Sequence, residues 1–379
     1  MINATRIGSI DFWRGAVLIA ILVDHIPGNM LESVTPRNFG LSDSSEAFVF
    51  LSGLSVGLVY LPRARKHGPP AVARGCFQRA LKLYGVHVGL TVAALVIFAC
   101  AWRLSGVDEL IAAHGRSFVF DSPAAGLVGI ALMSHQLGYF NILPLYIVLM
   151  LWAPLALAIA MRGPMLALAA SAGIYAGSRM FDLDLPNWPQ AGGWFFNPLA
   201  WQLVFTIGLV SAIVWRDGAP RAAPGLVALS AAVVATAALV TTSAAGIAPG
   251  LRDAASAHLD LAKQDLGLAR LVHFAALAYL AAVAPGIQRL ADGATGRAIQ
   301  SLGRNGLAVF AAGSVLSAVG QAMLGATAPH ASVGVEHVAG LAYTLAGIAV
   351  LFALTRWIEC RNIPAPPDRA FGSAAPQAL

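Results

Sequence analysis

The chain reads as a succession of long apolar runs, separated by short stretches that hold the polar residues, glycines and prolines. The runs predict helices of membrane length near 10–27, 46–61, 80–101, 139–160, 165–179, 198–215, 223–242, 267–284, 305–324 and 336–357. A helix needs roughly 20 apolar residues to cross a bilayer core. Segment 123–134 is apolar but short, which suits a re-entrant or interfacial helix. Segment 251–266 mixes Leu251, Ala254, Ala255, Leu259 and Leu261 with Arg252, Asp253, Asp260 and Lys263, a pattern for a helix lying on the membrane surface. The expected fold class is therefore all-α, a polytopic integral membrane protein of about ten transmembrane helices. Residues 1–361 are expected to form a single transmembrane domain, and the Pro-rich stretch 362–379 a disordered tail.

The charged positions add an orientation. Between the second and third runs lie Arg63, Arg65, Lys66, Arg74, Arg79 and Lys82, the most basic loop expected in the chain, which the positive-inside rule places in the cytoplasm. Alternating from there puts both termini in the cytoplasm, Arg14 near the inner surface and His25 near the outer one. Composition agrees: 58% of residues are hydrophobic and 11% charged, where a soluble domain is about a quarter charged. The net charge of +6 does not point to nucleic acid, because the cations gather in a few connecting segments. Cys76, Cys100 and Cys360 are far apart and form no CxxC, so neither a disulfide framework nor a metal site is expected. Gly15–Val23 has the length of a signal-peptide core, but Asp24-His25 stands where a cleavage site would need small residues, so the N-terminus is expected to be retained.

The candidate chemistry begins in the first run, which carries Asp11, Arg14, Asp24 and His25. Ionisable groups within a membrane helix are costly and mark functional candidates. Arg14 and His25 are eleven residues apart, about three turns, hence on nearly one face and roughly 16 Å apart along the axis. An imidazole near neutral pKa suits a general base, and either Asp24 or Glu46 is placed to partner it. Arg14 is a candidate for substrate contact and also for a local ion pair with Asp11. Phe48 to Gly53, with Gly57, predicts close packing against the first helix. The basic loop, with Arg63, Arg74, Arg79 and Lys82, offers phosphate-binding cations for a nucleotide-like donor such as coenzyme A, and Arg304-Asn305 opens the ninth run. Asn141, Asn197, Trp201, Gln202, Arg270 and His273 gather at predicted outer ends and would form a polar mouth.

Beyond these local readings, Arg14-x10-His25 and Phe50-Leu-Ser-Gly53 resemble the first- and second-helix motifs of the membrane acyltransferase-3 superfamily. Longer stretches resemble its OpgC branch. They include Asp11-Phe-Trp-Arg-Gly, Asp24-His-Ile-Pro-Gly-Asn29, Arg37-Asn38-Phe-Gly-Leu-Ser-Asp43, Glu46-Ala-Phe-Val-Phe-Leu-Ser-Gly53, Gly138 to Tyr146, Asn197 to Gln202, Arg270-Leu-Val-His273 and Leu302-Gly-Arg-Asn305. The superfamily often has Arg-x-x-Arg at the start of the third span, whereas here Lys82 follows Arg79. The resemblance implies a multi-pass O-acyltransferase of the bacterial inner membrane. It would move a succinyl group from cytoplasmic succinyl-CoA, a co-substrate rather than a resident cofactor, to a hydroxyl of a periplasmic glucan or other glycan. On that basis His25, Asp24 and Glu46 are catalytic candidates. Arg14, Arg37, Asn38, Asn141, Asn197, Trp201, Gln202, Arg270 and His273 are candidates for substrate contact, and Arg63, Arg74, Arg79, Lys82, Arg304 and Asn305 for the CoA moiety. The alternative is a transporter or flippase for an anionic metabolite or glycan that uses the same buried charges as a relay; the lack of a visible internal repeat weighs against it.

Overall fold

The computed structural model describes residues 8–215, 220–242, 250–330 and 332–361; the expected tail, 362–379, lies outside them. Among the described residues, fifteen α-helices follow in chain order: α1 Gly8–Asp24, α2 Ser44–Ser105, α3 Glu109–Ala112, α4 Arg116–Asp121, α5 Pro123–Ala131, α6 Ile142–Arg162, α7 Pro164–Met180, α8 Pro198–Val214, α9 Pro224–Thr242, α10 Leu251–His258, α11 Leu268–Val283, α12 Pro285–Asp292, α13 Ala294–Arg304, α14 Gly306–Thr327 and α15 Val333–Arg361. Among the described residues, α2, α6, α9, α14 and α15 are long and apolar enough to cross a membrane, and α8 and α11 are apolar but shorter. The predicted apolar runs thus reappear as helices, with ends shifted by a few residues.

Helix α2 departs most from expectation. Its 62 residues would extend about 93 Å if straight. It is not straight: Gly68 leaves helical geometry at φ 75°, ψ 175°, a conformation open essentially to glycine, and Pro69 and Pro70 follow. The two arms fold back on each other, since a Cβ added to Gly75 would stand 2.8 Å from both the Tyr60 ring and the Arg63 guanidinium. The basic stretch expected as a loop is therefore helical on both sides of one turning residue. Arg, Lys, Ala and Gln are strong helix formers, so the hydropathy minimum marked the turn without marking a loss of helix.

Packing among the helices depends on small residues. A Cβ on Gly53 would lie 1.9 Å from the Phe205 carbonyl oxygen, and one on Gly208 2.1 Å from that of Phe50, so α2 and α8 meet backbone to backbone. The small residues of the second run thus pack on α8, where packing against the first helix was expected. The first helix has another close neighbour, α13, and meets it at Gly15 against Ile299 and at Gly303 against Asp11. Helices α12 and α13 answer to no predicted run. The segment expected to lie on the surface, 251–266, is helical only over α10; the chain then turns inward, burying Leu266 completely. The short apolar segment forms α5, whose Gly129 sits against His135 and Trp188.

These contacts give the molecule two ends. One end gathers the C-terminus of α1, the start of α2, the loop before α6 and the loop before α11. The other gathers the start of α1, the Gly68 turn, α13 and the end of α15, where Arg304 pairs with Glu359 at 2.9 Å.

Candidate active site: two cavities along the first helix

Helix α1 ends at Asp24, and His25 is the first residue of the loop that follows. Its backbone carbonyl accepts a hydrogen bond of 2.8 Å from Gln321 of α14. Its ring packs edge-on to Tyr139, with 4.8 Å between centroids, and Tyr139 in turn lies 4.9 Å from His114. His25 faces a cavity of about 660 Å³, lined also by Asp24, Arg37, Asn38, Asp43, Asn141, Phe195, Phe196, Lys263 and Arg270. Burial, then the charges of Lys263 and Arg37, push the His25 imidazole below the ordinary histidine range. At neutral pH it is uncharged and has a lone pair for a proton.

Neither carboxylate expected to partner His25 hydrogen-bonds to its ring in this structure. Asp24 accepts a bond of 2.6 Å from the Thr35 hydroxyl. Glu46, fully buried, accepts from Arg270 at 2.7 Å and from the Asp43 backbone N–H at 2.9 Å. Asp43 caps α2 by accepting from the Ser45 N–H at 2.8 Å and pairs with Lys263 at 2.6 Å and Arg270 at 3.2 Å. Burial works to raise the Asp43 carboxyl, but Lys263 and Arg270 outweigh it and hold the group well below the usual carboxylate range. This four-residue network staples the start of α2 to the loop before α11. Glu46 belongs to that staple rather than to a relay with His25.

At the other end lies a second cavity, of about 810 Å³, lined by Asp11, Arg14, Ser52, Ser55, Tyr60, Arg79, Tyr146, Arg304 and Asn305 among others. Arg14 donates to Asp11 at 2.8 Å, to the Gly303 carbonyl at 3.2 Å and to the Ser55 hydroxyl. Its ion pair with Asp11 and its place on a cavity wall hold together. Arg304 is braced by Glu359, as is the Asn305 amide at 3.3 Å.

The structure divides the remaining sequence candidates. Arg37, Asn38, Asn141 and Arg270 line the cavity with His25, the outer one by the orientation expected from charge. Arg79, Arg304 and Asn305 line the other, the inner one by the same expectation, with Arg14. Arg63, Arg74 and Lys82 are exposed on α2 and line neither cavity; Arg63 stacks 5.2 Å over Tyr60. Since Lys82 does not line this cavity, its departure from an Arg-x-x-Arg pattern leaves the wall intact. Asn197, Trp201 and Gln202 are not in the polar mouth. Asn197 and Trp201 hold the loop before α11, with Trp201 Nε1 donating to the Gln264 carbonyl at 3.0 Å and Asn197 to Asp265 at 2.9 Å. Gln202 ties α8 to α7 through Ser171 at 2.8 Å. The Nδ1 of His273 accepts from the Ser42 N–H at 3.2 Å, which fixes the loop before α2.

Site residues that local pattern did not single out are His114 and Lys263. His114 and Tyr139 sit in loops at positive φ, 59° and 71°, a geometry that periodicity does not encode. Among the described residues no group of His, Cys, Asp and Glu is arranged to hold a metal.

A family model described as OpgC protein matches residues 6–363. Comparison with the curated proteins and with the solved structures gave no match.

Proposed function

Since the chain belongs to the OpgC protein family by a match over nearly its whole length, we propose that it is a membrane O-acyltransferase. It moves an acyl group, succinyl by family analogy, from cytoplasmic acyl-CoA to a hydroxyl of a periplasmic glucan. One observation carries the proposal: a cavity walled by Arg14, Arg79 and Arg304 and a cavity presenting His25 lie along the same helix at opposite ends. Guanidinium groups suit phosphates. A neutral imidazole suits a hydroxyl proton.

In this scheme the donor enters from the Arg14 end, and the basic Gly68 turn supports a cytoplasmic setting for that end. The scheme counts the arms of α2 separately and includes α1, α7, α8 and α11, for ten crossings with both termini on the donor side. The acceptor lies in the outer cavity, its sugar faces against Phe195, Phe196 and Tyr139 and its hydroxyls near Asn38 and Asn141. His25 takes the proton of the attacking hydroxyl as that oxygen bonds to the thioester carbonyl carbon. Collapse breaks the carbon–sulfur bond, and the imidazolium returns the proton to the departing thiolate. Arg37, on the rim and paired with Glu32 at 3.2 Å, is the cation most open to a carboxylate at the far end of the acyl group.

Purified protein in detergent, with no gradient across a membrane, is expected to transfer or hydrolyse acyl groups from acyl-CoA; a transporter would not. Mass spectrometry of periplasmic glycans from cells with and without the gene is expected to differ by the mass of the acyl group. Identical spectra, together with no turnover in detergent, would remove the proposal.

A further inference from the structure

The two cavities share a wall. Phe48 of α2 and Phe310 of α14 line both. Their rings lie 5.8 Å apart, and Phe48 is backed edge-on by Tyr146 of α6 at 6.2 Å. Helices α1, α2, α6 and α14 contribute to the walls of both cavities. On α1, Ile21 and Asp24 face the outer cavity, as does His25 just past its end, while Leu18 and Arg14 face the inner. On α2, Ser45 is outer and Ser52 and Ser55 are inner, each within two turns of Phe48. The partition is thus a layer one side chain thick, set inside one helix cluster. Phe310 is buried, whereas Phe48 is only partly so, despite its place within the bundle.

We propose that Phe48 and Phe310 form an aromatic barrier between the two cavities and determine what passes from the Arg14 side to His25. In contact, the rings keep water of the outer cavity out of the inner one. Parted by rotation of Phe48 about its side-chain bonds, they leave a slot between α2 and α14 suited to an unbranched arm. This deepens the function proposed above and rests on it for the identity of what passes, a thioester-bearing arm. The barrier itself is a property of the helix cluster and is testable without catalysis.

The test is cysteine accessibility in the full chain, with Cys76, Cys100 and Cys360 replaced. A membrane-impermeant thiol reagent is applied to one face in spheroplasts and to the other in inside-out vesicles. With both phenylalanines present, Ser45→Cys and Ser52→Cys are expected to react from opposite faces only. In Phe48→Ala/Phe310→Ala, Ser52→Cys is expected to become as reactive as Ser45→Cys from the face that reaches Ser45, with Ser45→Cys unchanged as the control for folding. Reaction of Ser52→Cys from both faces with the two rings intact would overturn the barrier. So would its continued protection in the double variant while Ser45→Cys still reacts, or its failure to react from either face. In the acyl-transfer assay, the double variant is expected to accept branched acyl-CoA donors that the parent refuses. If no variant transfers any acyl group while the labelling pattern holds, the barrier stands and the acyltransferase function falls.

Discussion

At the scale of single residues, His25 and Arg270 separate chemistry from scaffolding. His25 presents its ring to a cavity, with an aromatic neighbour and, among the described residues, no hydrogen bond to its ring. Removing a general base costs about 10²–10⁴ in rate. His25→Ala is therefore expected to lose transfer by that factor, with the yield of membrane-inserted, monodisperse protein unchanged. Because burial and nearby cations lower its pKa, the active neutral form persists below the ordinary histidine value of about 6.5. The pH profile of transfer is expected to stay flat down through that value and to fall only in stronger acid, as protonation removes the lone pair; a midpoint at the ordinary value would count against His25 as base. Arg270 is the opposite case. It pairs with fully buried Glu46 and also with Asp43, and removing one partner of a buried pair costs about 3–5 kcal/mol. Arg270→Ala is expected to lower the thermal unfolding temperature in detergent sharply, whereas Arg37→Ala, on a half-exposed side chain, is expected to leave it nearly unchanged. From the sequence, Arg14, Asp24 and His25 were identifiable because ionisable groups stand out against an apolar run. Glu46 was identifiable as a buried acid but not as the mate of Arg270, since 224 residues separate them and only the fold brings them together.

At the scale of elements, apolar length foretold the long helices, and missed those that are short and polar. Helix α13 is 11 residues with Arg297, Gln300, Ser301 and Arg304, too short and polar to register as a span. It is helical and half buried because Gly303 and Gly15 let it sit directly on α1. The same kind of contact is more severe between α2 and α8, where Gly53 faces the Phe205 carbonyl and Gly208 faces that of Phe50. No side chain can give way there, because the opposing atoms are backbone. Overpacking typically costs 1–3 kcal/mol, and Gly53→Ala is expected to reach or exceed about 3 kcal/mol, since the helices must separate along the seam. The measurement is the fraction of monodisperse protein after detergent extraction, compared with Gly85→Ala, a position on the same helix with open space beside it. Equal yields from the two variants would mean that the α2–α8 seam is looser than these distances imply.

At the scale of the whole molecule, the distribution of charge and the position of the cavities make one argument. The Gly68 turn carries Arg63, Arg65 and Lys66 on one arm and Arg74, Arg79 and Lys82 on the other, and Arg304, Arg356 and Arg361 lie toward the same end. A phosphate-bearing donor and the cytoplasmic side of a bilayer both favour that concentration of cations. The exposed members, Arg63, Arg74 and Lys82, line neither cavity, while Arg14, Arg79 and Arg304 line the one at this end. The orientation is open to direct measurement. A reporter that is active only in the cytoplasm is expected to be active when fused after Arg361 or inserted at Gly68, and inactive when inserted between Val107 and Asp108. The reverse pattern would put His25 on the cytoplasmic side and exclude a periplasmic acceptor whatever the chemistry of the site. If the expected pattern holds, replacing the exposed cations Arg63, Arg65, Lys66 and Arg74 together by Gln is expected to yield molecules of mixed orientation, while the turnover of those inserted correctly stays at the parent value. Replacing Arg79 and Arg304 by Gln is expected to raise the KM for acyl-CoA without disturbing orientation. That division would separate the cations that aim the bundle from those that hold the donor.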